Sequence, residues 1–100
     1  MTEKQEWFKG ETYGKILIFE DDSDTQVDPT SVTITIKTPS GTTQDTLSMS
    51  DLTKVETGKY KMFWDIPADA ETGVWTYTVK AILPTGKKGI EKFAFEVIEG

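Results

Sequence analysis

Residues 31–41 read SVTITIKTPSG, and their pattern decides the fold. Val32, Ile34 and Ile36 alternate with Thr33, Thr35 and Lys37, so an extended chain puts the apolar side chains on one face and the polar ones on the other. Five of these six residues are β-branched, which suits a pleated strand better than a helix. Pro39–Ser40–Gly41 then punctuates it, because proline fixes φ and glycine supplies positive φ. A half-buried strand followed by a tight turn is the expected unit.

The same period of two recurs on the C-terminal side. Tyr60, Met62, Trp64 and Ile66 form one set, blurred by Phe63 on the opposite face. Trp75, Tyr77, Val79 and Ala81 form another, and Phe93, Phe95 and Val97 a third. Lys15 to Glu20, KILIFE, is apolar on both faces and reads as a central strand, or one covered on its outer side. Turn signals separate these runs at Gly10–Glu11, Asp28–Pro29, Thr57–Gly58, Pro67 to Gly73 and Pro84 to Gly89. No stretch of helical length has a 3.6 period, and PADAETG (67–73) is only long enough for a turn. Short strands at this spacing predict an all-β fold: one domain over residues 1–100, an immunoglobulin-like β-sandwich of about seven antiparallel strands, with a small barrel as the other topology open. The alternating aromatics are then core.

Composition narrows the chemistry. The chain has no cysteine and no histidine, which removes disulfides, thiolate metal sites and the usual general base. All eleven basic residues are lysine and the net charge is −6, so the positive surface and bidentate arginines of nucleic-acid binding are missing. The serines lie in no nucleophile motif, and there is no phosphate-binding glycine loop. Catalytic residues, an enzymatic activity and a cofactor are therefore not expected. No window approaches the roughly 20 apolar residues of a membrane span. With Met1 as the natural start, the polar MTEKQEW opening holds no secretion signal, so the chain is expected to stay inside a cell or be assembled there.

The acidity is concentrated in FEDDSDTQVDP (19–29), where five carboxylates meet no basic residue. Asp22, Asp24 and Asp28 have the spacing of positions 1, 3 and 7 of a calcium loop. Val27 and Thr33, however, occupy the places where an EF-hand needs glycine and a bidentate glutamate. The reading preferred here is a turn in which aspartates bond their own backbone and Asp28–Pro29 opens the next strand.

The order FKGE, FEDDSDTQVDPTSVTITIKTPSG, TGKYKMFWDIP, ETGVWTYTVKA and FAFEV resembles small immunoglobulin-like domains of tailed-bacteriophage virion proteins, and more distantly macroglobulin-type immunoglobulin-like domains. The recurring outline falls on Gly10–Glu11, Phe19 to Pro29, Val32 to Gly41, Gly58–Tyr60, Gly73–Trp75 and Phe95–Val97. One departure stands out: the family's acidic loop carries an Asp-Gly step, whereas this chain has Asp22–Ser23–Asp24. The resemblance implies a structural, protein-binding module in a virion assembled in the bacterial cytoplasm, with other structural proteins as partners and no catalytic residue. The isolated chain is expected to be monomeric, without nucleic-acid binding or membrane insertion. A carbohydrate- or cell-surface-binding adhesin module, marked by a solvent-facing Trp7 or Trp64, and a domain of a larger secreted protein are the alternatives. Tyr60, just after the Thr57–Gly58 turn, suits a tyrosine corner, its hydroxyl reaching nearby backbone. Trp7–Phe8, ahead of the first clear strand, is expected either to cover a sheet edge or to face a partner.

Overall fold

The structure is a computed structural model that describes residues 6–99. Its strands are β1 (Glu6–Phe8), β2 (Thr12–Ile18), β3 (Ser31–Lys37), β4 (Thr43–Ser48), β5 (Thr53–Glu56), β6 (Lys59–Asp65), β7 (Gly73–Ile82) and β8 (Lys88–Ile98). One sheet runs β1-β8-β7-β3-β4 and the other β2-β6-β5. The chain changes sheet after β1, β2, β4 and β6, while β3–β4, β5–β6 and β7–β8 are antiparallel neighbours. With β2, β6 and β5 facing β3, β7 and β8, this is the strand arrangement of an immunoglobulin-like sandwich, widened by β4.

Alternation sets the core. Val32, Ile34 and Ile36 of β3 are buried, as are Tyr60, Met62 and Trp64 of β6 and Trp75, Tyr77, Val79 and Ala81 of β7. The aromatic rings meet in a continuous layer: Trp64 lies 5.5 Å from Trp75, and Tyr13 stacks 4.4 Å from Phe95. Their polar tips are satisfied inside. The Trp75 indole donates to the Glu71 carbonyl at 2.8 Å, the Trp64 indole to Asp45 Oδ2 at 3.0 Å, and the Tyr13 and Tyr77 hydroxyls bond each other at 2.8 Å across the sheets. The PADAETG turn thus supplies the acceptor that lets Trp75 be buried.

Three expectations are corrected. Among the described residues the strands number eight, because β4 and β5 were hidden in polar sequence: almost every residue of both is solvent-exposed, so no alternation was needed. Pairing is not wholly antiparallel, since β1 runs parallel to the end of β8, with Trp7 opposite Val97. KILIFE falls mainly in β2, which is an edge strand among the described residues, and Ile16 and Ile18 on its outer side stay exposed. Its two-sided apolar character reflects an uncovered face. Phe63 points outward and lies over Gly14 opposite it, which explains the blurred period of β6.

Trp75 is 1% exposed at the centre of this layer. Trp75→Ala is expected to cost about 3–5 kcal/mol, a large part of the stability of a domain this size. Urea denaturation checks it, and a midpoint close to wild type would contradict the assigned packing.

Candidate binding surfaces

The acidic loop folds on its own side chains. Asp21 Oδ1 accepts from the backbone N–H of Ser23 at 2.9 Å and of Thr25 at 3.1 Å, and the Asp24 N–H donates to the Asp21 carbonyl at 3.0 Å. Glu20 and Gln26 close the loop as an antiparallel bridge. Asp24 takes φ of 60°. Glycine is the usual residue in that left-handed conformation and aspartate is among the few others that tolerate it, so the loop turns without the Asp-Gly step of the resembling family.

The three aspartates with calcium-loop spacing go to different partners. Asp22 pairs with Lys87 at the β7–β8 turn. Asp28 points to the β5–β6 turn: Oδ2 accepts from Lys54 Nζ at 2.6 Å, and Oδ1 from the Gly58 N–H at 2.9 Å and the Tyr60 hydroxyl at 3.2 Å. No group of three ligating side chains forms among the described residues. The Tyr60 hydroxyl therefore meets a carboxylate and not the backbone expected of a tyrosine corner. Nothing local in the sequence marks Asp28 as the residue fastening the loop to the β5–β6 turn, because its partners lie 26 to 32 positions away.

Lys54 and then the Gly58 N–H hold the Asp28 carboxyl below its ordinary value of 3.8, and Lys87 does the same for Asp22. Tyr60 is pushed up, by burial first and by Asp28 second. A lowered carboxylate favours the folded state above the unfolded value, and that contribution is lost as pH falls through the folded one. Asp28→Asn is therefore expected to flatten the loss of stability below about pH 3.8, while lowering stability at neutral pH. Urea midpoints across an acid series measure both effects, and an unchanged acid slope would refute the assignment.

Gly58 is the backbone half of this fastening. It has φ of 76°, and a Cβ there would stand 2.8 Å from Gln26 Cβ and 2.9 Å from the Phe19 carbonyl oxygen. Gly41, with φ of 93°, faces open space. Gly41→Ala is expected to cost only the left-handed strain, about 1–2 kcal/mol, and Gly58→Ala clearly more. Equal losses in thermal melts would mean that the loop does not press on Gly58.

Trp7 and Phe8 part company. Trp7 turns inward and lies 4.9 Å from the Tyr13 ring, covering the edge of β8, whereas Phe8 is 47% exposed beside Ile98. Trp64 is 6% exposed, its indole bound to Asp45, so the sugar platform that a solvent-facing tryptophan would have marked is not formed by it. A cleft of ≈ 300 Å³ opens between β2 and the first half of β8, floored by Leu17, Phe19, Val79, Ala81 and Phe93 and edged by Glu91. Set against known proteins, the chain matches no family model and no curated sequence.

Proposed function

We propose that this chain is a non-enzymatic structural module that binds other proteins, and that it serves in a bacteriophage virion at the capsid, neck or tail. The observation that carries the protein-binding part is β1. Trp7 anchors the strand in the aromatic layer, and the adjacent Phe8 is held on the surface in a fixed position next to Ile98. An exposed aromatic on a strand ordered by its neighbour loses little further entropy on docking, which favours a binding role. The virion part rests on the motif order, whose pieces occupy the turns and strand ends of this fold: Gly10–Glu11, the acidic loop, Pro39 to Gly41, Gly58 and Gly73. In this reading the isolated chain is monomeric, and many weak contacts on an assembly made in the bacterial cytoplasm hold it in place.

The test separates the two aromatics. Phe8→Ser is expected to melt near wild type yet fail to co-sediment with particles, whereas Trp7→Ser is expected to lose about 1–3 kcal/mol through the packing it removes. Normal incorporation of the Phe8 variant would eliminate this docking site. A wild-type chain that never enters particles would eliminate the virion.

A further inference from the structure

Lysines are distributed unevenly over this sandwich. Lys9, Lys54, Lys59 and Lys87 each pair with a carboxylate, and Lys15 lies 5.7 Å from the centre of the Phe93 ring. Five others, Lys37, Lys61, Lys80, Lys88 and Lys92, have no ion pair among the described residues. Four of those five lie on the outer face of the β1-β8-β7-β3-β4 sheet, opposite the buried face that the alternation defines.

Three of them surround one apolar residue. Lys88 and Lys92 flank Ile90 along β8, and Lys80 of β7 stands directly across from it. Lys80 is the diagonal neighbour of both Lys88 and Lys92, about 7–8 Å from each, so its ammonium group repels both of theirs without a counter-charge between them. Among the described residues Ile90 is the most exposed of the large apolar side chains, at 68%. The neighbouring positions of the face are Thr33 and Thr78, short and stiff at χ1, and the exposed Ile82 directly across from Lys88. Its carboxylates, Glu6 and Glu96, sit at the far corner where β1 pairs with β8.

We infer that Lys80, Lys88 and Lys92, with Ile90 between them, form a docking site for an acidic segment of a partner protein, one carrying carboxylates around an apolar side chain. Charge complementarity identifies the occupant. Two features separate it from a nucleic acid. The cations are lysines, which cannot fork onto phosphate as arginine does, and no aromatic ring lies among these positions for a base to stack on. The overall charge is −6, and without the four face lysines the rest of the chain carries −10, so a polyanion longer than the patch meets repulsion beyond it. A compact acidic segment does not. The inference rests on the protein-binding reading but not on Phe8 or on a virion.

The probe is an acetylated Glu-Glu-Leu-Glu-Glu peptide, titrated into ¹⁵N-labelled full-length protein at low salt. Amide shifts are expected to centre on Lys80, Lys88, Ile90 and Lys92, with affinity at least about tenfold weaker in Lys80→Glu/Lys92→Glu and likewise weakened by about 0.5 M salt. Should the double reversal unfold, Lys80→Gln/Lys92→Gln is the comparison, expected to bind more weakly while melting at or above the wild-type temperature. Shifts centred elsewhere, no binding at millimolar peptide, or binding unchanged in the folded variants would overturn the site. A thymidine oligonucleotide of matching charge that binds the same amides more tightly would overturn the partner class. Particle incorporation can fail through Phe8 with this titration intact, and the reverse, so the two proposals are separable.

Discussion

A polar atom buried between two sheets must find its partner there, and this requirement orders the rest of the sandwich. The aromatic layer brings large apolar area into the core, but Tyr13, Tyr77, Trp64 and Trp75 also bring hydroxyls and indole N–H groups. Left without partners, each would cost about 1–3 kcal/mol. Tyr13 and Tyr77 answer one another from opposite sheets, which sets the two sheets in register. Trp75 draws the Glu71 carbonyl inward and so fixes how the chain turns from β6 to β7. Trp64 draws Asp45 inward from β4, which ties that strand's otherwise polar sequence to the core.

The same arrangement protects edges. β4 carries the inward Asp45 and a register irregularity at Ile36/Lys37, and β5 is short and irregular between Lys54 and Glu56. Inward charges, bulges and brevity all discourage a foreign strand from pairing. β2 is longer and regular, with Lys15 beside Phe93 as its charged inward residue. An acidic protein therefore exposes several apolar side chains, Phe63 at 55% among them, without offering a flat, uncharged edge.

What was legible in the sequence followed burial. Where one face of a strand is in the core and the other in water, as in β3, β6 and β7, the period of two is plain. β4 and β5 were illegible because water reaches almost every residue, and the parallel pairing of β1 because orientation leaves no local trace. The acidic loop was legible as a turn through its aspartates, yet the role of Asp28 was not, since it depends on Lys54, Gly58 and Tyr60 arriving from β5 and β6. Trp7–Phe8 was recognisable as a special pair. Which ring faced inward depended on the register with β8. The lysine face escaped because its members come from three strands.

The parallel pairing of β1 with β8 also has a mechanical meaning. Tension that enters the chain ahead of Glu6 and leaves beyond Ile98 pulls the two strands past each other along their length. Their hydrogen bonds are then loaded together, whereas an antiparallel terminal pair would peel apart one bond at a time. Trp7, wedged against Tyr13, adds resistance to the same sliding. A module strung between neighbours would bear load through this short seam first, and the remaining sheets would stay folded until it slipped.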